Sequence, residues 1–166
     1  MNIRLKMNDR IEINNLHFSA AHFLILGESA EPLHGHNFEA SLQIAGEKDN
    51  SGILLDFIEL KRIFERVLAK LEHKLIVPTE NEKVTLKKNG KFTEIDYANY
   101  FLRLPTKEIC FLPFQNASTE FVAQYIAEVM LAEVKKTFPQ APPRLEWLEV
   151  AITEMPGAKA YFRKNF

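Results

Sequence analysis

Between residues 10 and 23 the chain alternates loosely, with Ile11 and Ile13 set against Glu12 and Asn14, which predicts a half-buried strand. A loop, LILGESAEPL, carries Gly27 and Pro32 and leads into HNFEASLQIAG. There Phe38, Ala40, Leu42 and Ile44 fall on one face and Asn37, Glu39, Ser41 and Gln43 on the other, the cleanest strand pattern in the chain. From Phe57 the spacing changes to three and four. Asp56 can cap an amphipathic helix over 57–72 whose buried stripe is Phe57, Leu60, Phe64, Val67 and Leu71. The stretch from Pro78 to Phe114 reads as an excursion of strands, because Asn89-Gly90 between two β-rich runs suits a two-residue hairpin turn. A second helix begins at Asn116 or Ser118, carries Glu120 in its first turn, buries Val122, Ile126, Val129 and Met130, and runs to about Thr137, where PQAPP stops it. LEWLEVAITE returns to a period of two through Leu148, Val150 and Ile152, and Ala160 to Arg163 add a short last strand.

This order predicts an α+β fold with two helices on one face of an antiparallel sheet. The other face then needs a cover, so a homo-oligomer with sheets joined edge to edge is expected. A length of 166 residues suits one domain spanning 1–166, with an inserted β-hairpin region at about 79–114. Lys and Arg number 21 against 22 Asp and Glu, which gives no field to attract nucleic acid. No long apolar run predicts a membrane span, and the N-terminus does not read as a secretory signal. The single cysteine, Cys110, cannot form an internal disulfide and lies in the apolar KEICFLPF, which points to a buried structural thiol and a cytoplasmic protein.

The candidate chemistry lies in Leu33-His34-Gly35-His36-Asn37-Phe38, where two imidazoles two residues apart at the entry to a strand project to the same side. A catalytic zinc commonly takes three protein ligands and keeps one position open. His17 and His22 are the candidates for the third. A hairpin-like return from residue 23 to residue 34 would bring His22 opposite the pair, whereas His17 is out of phase with it and reads as a surface or partly buried side chain.

With HFSAAHFL, LHGHNFEASLQIAG, SGILLDFIELKRIF, LEHK, NASTEFVAQYI and VAITEMPG in order, the chain resembles the 6-pyruvoyl-tetrahydropterin synthase and 6-carboxy-tetrahydropterin synthase superfamily. The resemblance implies the T-fold (tunnelling fold), an antiparallel sheet with two helices whose copies close into an oligomeric barrel, as a trimer or hexamer. It implies Zn2+ held by His22, His34 and His36. It implies a pterin anchor at Glu154, with Ser118 and Thr119 beside it, since a carboxylate can accept two parallel N–H bonds from the pterin edge. It also implies a proton relay at Glu72 and His73, where the superfamily usually has aspartate and histidine.

The chain departs from the superfamily in the loop before the histidine pair, where the best-known branches carry a cysteine and this sequence has Glu31. A related branch places glutamate there and is associated with giving 6-hydroxymethyl-dihydropterin. The expectation is therefore a zinc-dependent carbon–oxygen or carbon–carbon lyase acting on the side chain of 7,8-dihydroneopterin triphosphate or a close dihydropterin, with Glu31, Glu72 and His73 moving protons. Spacing does not distinguish 6-hydroxymethyl-dihydropterin from 6-carboxy- or 6-pyruvoyl-tetrahydropterin as product. The alternative is a catalytically inactive pterin- or zinc-binding protein of the same fold.

Overall fold

A computed structural model describes residues 9–166. Its strands are β1 (Asp9–His22), β2 (Ile25–Leu26), β3 (Ser29–Ala30), β4 (His34–Gly46), β5 (Lys74–Pro78), β6 (Val84–Asn89), β7 (Phe92–Tyr97), β8 (Tyr100–Pro105), β9 (Ile109–Leu112), β10 (Leu145–Met155) and β11 (Ala158–Asn165). Helix α1 (Phe57–Leu68) follows β4, and α2 (Thr119–Thr137) follows β9. The main sheet runs β11-β10-β4-β1-β5-β9, and both helices pack on one of its faces.

The core lies between that face and the helices. Phe38, Ala40, Leu42 and Ile44 of β4 and Leu148, Val150 and Ile152 of β10 meet Leu60, Ile63, Phe64 and Val67 of α1 and Val122, Ile126 and Met130 of α2. In β1 the inward set changes parity. Ile13 is buried in the first half, whereas Phe18, Ala20 and His22 are buried in the second. The change is made by a β-bulge between Ile13 and Leu16, with Asn15 at φ +56°, a left-handed conformation that asparagine tolerates. One extra residue turns every later side chain to the opposite face. This is what puts His22 on the helix side, directly opposite His34.

Three expectations need adjustment. The four long strands are antiparallel, as the alternating patterns predicted, but β5 pairs with β1 and β9 pairs with β5 in parallel. Helix α1 ends at Leu68, short of residue 72. The chain then tightens through Lys70 N–H to Val67 O and Leu71 N–H to Leu68 O, and His73 at φ +55° turns its N–H to Ser19 O, 2.7 Å away. Finally, the excursion is a three-stranded antiparallel meander, β6-β7-β8, rather than a hairpin. Gly90 (φ +60°) makes the first turn, as Asn89-Gly90 predicted, and Ala98 (φ +47°) sits in the second. The meander packs Ile95 and Tyr97 against Phe23, Leu75, Val77 and Ile109, a second apolar cluster apart from the helix-side core.

Candidate metal centre

His22 ends β1 and His34 begins β4, and the antiparallel register pairs them directly, with His36 opposite Ala20. The ring centroids are 4.6 Å (His22–His34), 5.0 Å (His34–His36) and 5.3 Å (His22–His36) apart, all edge to face. Glu154 completes the group. One ligand atom from each of the four side chains lies within 4.8 Å of the others.

Hydrogen bonds settle what the His22 and His34 rings can offer. His22 Nδ1 lies 2.8 Å from Ala117 O, and His34 Nδ1 lies 2.8 Å from Pro32 O. A carbonyl oxygen only accepts, so Nδ1 donates in both, and in the neutral ring the lone pair falls on Nε2. The Nε2 atoms of His22 and His36 are buried and, among the described residues, have no hydrogen-bond partner of acceptable geometry, although Glu154 Oε1 stands 3.0 Å from His36 Nε2 and 3.9 Å from His22 Nε2. Buried nitrogen lone pairs facing a carboxylate are costly unless a cation or a donor lies between them. Imidazoles oriented through their second nitrogen by carbonyl groups are the usual setting of zinc-binding histidines. The residues therefore fit a divalent ion. Burial holds the His22 ring below the ordinary histidine pKa; the Ala117 hydrogen bond opposes this, the neighbouring His34 and then His36 add to it, and Glu154 opposes it. The net effect keeps the ring neutral, the form that ligates.

Glu154 continues the phase of Leu148, Val150 and Ile152, so alternation along β10 turns its carboxylate to the helix side, where the histidines lie; the β10–β11 register slips at the same point, between Thr153 and Met155. Its Oε2 accepts a hydrogen bond from Thr119 Oγ1, the first residue of α2. Ser118 is the N-cap of that helix, and its hydroxyl makes no capping bond. Ser118, Thr119 and Glu154 line a cavity of about 460 Å³ together with Leu24 and the turn at Gly157. Thus the candidate anchor residues and the candidate metal ligands adjoin one another.

The candidate relay pair, Glu72 and His73, is placed differently. Glu72 Oε2 accepts the Ser19 N–H at 2.7 Å and its Oε1 lies 3.2 Å from His73 Nε2, while the His73 side chain is 79% exposed. His73 lines a cavity of about 510 Å³ on the sheet face away from the helices, with Ser19, Asn37, Leu104 and Glu108. His36 borders this cavity as well and also belongs to the four-residue cluster. Glu31 is half-buried in the loop before β4 and donates its N–H to Leu24 O at 2.9 Å, and it is not part of the four-residue cluster. His17 is exposed, and Cys110 is buried on β9 with its thiol pushed up by burial, Tyr125 opposing as a hydrogen-bond partner. The orienting carbonyls of Ala117 and Pro32 were beyond sequence reasoning, since any residue supplies a carbonyl.

The profile of the 6-pyruvoyl tetrahydropterin synthase family matches residues 11–165. The chain belongs to that family. A Methanocaldococcus jannaschii protein provisionally named 6-carboxy-5,6,7,8-tetrahydropterin synthase is 28% identical over 159 residues, 93% of this chain and 96% of its own. A Pyrococcus furiosus dihydroneopterin monophosphate aldolase is 37% identical over 57 residues, 34% of this chain and 48% of its own. Among solved structures, the 6-pyruvoyltetrahydropterin synthase of Plasmodium vivax superposes with a TM-score of 0.88 at 25% identity, over 97% of this chain and all of that one. That synthase has also been solved with a glutamate, described as a catalytic residue, changed to alanine or to cysteine. The chain thus has the T-fold of this pterin-processing family. Among the described residues, no helix is long and apolar enough to cross a membrane.

Proposed function

We propose that the protein is a zinc-dependent lyase that acts on the C6 side chain of 7,8-dihydroneopterin triphosphate or a close dihydropterin. The observation that carries this reading is the set of three imidazoles, two with Nδ1 tied to a carbonyl and two with a buried, unpartnered Nε2, grouped around the Glu154 carboxylate. His22, His34 and His36 would hold the ion, which when bound polarises the side-chain hydroxyls of the substrate.

The chain's own groups do the rest. Glu154 accepts the amino and ring N–H edge of the pterin, and the Thr119 hydroxyl fixes the carboxylate in place. Ser118 and the positive end of α2 border the same cavity, which suits an acceptor-rich heterocycle. Glu31 takes a proton from the substrate side chain. The use of a glutamate by the Plasmodium vivax synthase supports this assignment, as does the absence of a cysteine from the loop. Glu72 orients His73, which carries a proton in the second transfer.

Incubating zinc-loaded protein with 7,8-dihydroneopterin triphosphate and weighing the pterin by mass spectrometry tests the reading. A shortened or rearranged side chain is expected, and Glu31→Gln should lower turnover about 10²–10⁴-fold with zinc content unchanged. Pterin that binds and is never altered would instead favour the catalytically inactive binding protein.

A further inference from the structure

The meander takes no part in the chemistry above, yet its most buried aromatic ring lies on the residue next to a ligand. Strand β1 ends at His22, its pairing with β5 stops at Ala21, and beyond that point only β4 flanks it. Phe23 follows, fully buried in the second apolar cluster rather than the helix-side core. Tyr97 of β7 stacks on it with ring centroids 3.7 Å apart and planes within 7°, and Tyr100 backs Tyr97 at 5.1 Å. The Tyr97 hydroxyl is buried without a hydrogen-bond partner among the described residues, so what this position supplies to its neighbours is the flat ring.

The loop that continues from Phe23 to Glu31 is tied by its backbone. Leu24 O receives Glu31 N–H, the Asn116 side chain bonds both N–H and C=O of Ile25, and Lys83 Nζ donates to Gly27 O at 2.6 Å and to the Glu28 carboxylate. Tyr97 and Lys83 both come from the excursion. We propose that the excursion is a brace, in which Tyr97 acting through Phe23 and Lys83 acting through Gly27 are positioning residues that fix His22 and the Glu31 loop. One consequence, the effect on metal affinity, rests on the zinc reading; the effect on backbone opening does not.

The test is amide hydrogen exchange on metal-free protein, followed by zinc affinity from competition with a chromogenic chelator. Tyr97→Leu keeps apolar bulk and removes the ring. It should speed exchange across 22–31 while β10 keeps its rate, and should weaken zinc binding about tenfold, the effect of losing a group that orients a ligand. Tyr97→Phe should match the parent in both readouts. Lys83→Met, at an exposed position, should speed exchange at 26–31 alone. Unchanged exchange across 22–31 in Tyr97→Leu overturns the brace. If that variant loosens β10 too, Lys83→Met decides, and an unchanged 26–31 overturns the proposal. A parent chain that takes up no zinc would defeat the functional reading and leave the exchange result to judge the brace.

Discussion

Two histidine–carboxylate groupings stand among the described residues of this chain, and they differ in nearly every physical respect. His22 is 1% exposed, shares its carboxylate with His36, and has its Nδ1 tied to Ala117 O. His73 is 79% exposed, shares Glu72 with the Ser19 N–H rather than with another imidazole, and sits on a left-handed turn after α1. Burial beside other imidazoles favours a neutral ring with a fixed lone pair, which suits holding a cation. Exposure beside one carboxylate leaves a ring within reach of a bound substrate and oriented through one acceptor, which suits the proposed relay. On the proposed function, the same residue type is divided between two tasks by its surroundings.

The largest expected break in this comparison is His36→Ala, which should reduce bound zinc from one equivalent to roughly a tenth or less, and turnover with it. His73→Ala should leave zinc content at one equivalent by metal analysis and lower kcat about a hundredfold. If the two variants lose metal equally, the division of labour is wrong. Glu154→Gln sharpens the first grouping: as a pterin anchor, Glu154 would raise KM about 10–100-fold on replacement, by loss of a charged hydrogen-bond pair, with zinc retained. Loss of zinc would make the carboxylate a ligand instead.

The smallest effect belongs to Cys110, buried like His22 but with nothing of its kind around it. Burial raises its pKa, so the native thiol keeps its proton where the unfolded one, with an ordinary pKa near 9.0, begins to lose it. The native state then binds more protons than the unfolded state, and stability falls as pH rises through that value. Cys110→Ala should remove this alkaline slope in denaturant melts taken from pH 7 to pH 10, at a cost of about 1 kcal/mol at neutral pH. An unchanged slope would show that other groups cause it.

The parts of this architecture that were legible in the sequence are those whose side chains carry a period. The alternation in β4 gave its inner and outer faces, the three-and-four spacing gave α1, and His-x-His with one upstream histidine pointed to the three imidazoles of the cluster. The parallel edge was not legible. β5 and β9 are short apolar runs, KLIVP and ICFL, that are mostly buried and so show no alternation. The third meander strand was missed because its partner is named only by the turn at Ala98, a residue with no turn preference. Glu154 falls in phase with Leu148, Val150 and Ile152, but its placement against His36 depends on the pairing of β10 with β4, and side-chain period does not name a strand's partner.

The bulge at the two asparagines of β1 makes that strand a ratchet with a single permitted setting. Its first half is keyed by the isoleucines and its second half by Phe18, Ala20 and His22, and the two keys are one notch out of step. Deleting either Asn14 or Asn15 would force a choice between them, because a uniform strand can seat the isoleucines or the imidazole but not both. Length at that point in the chain is therefore constrained as tightly as the identity of the histidine eight positions downstream of Asn14.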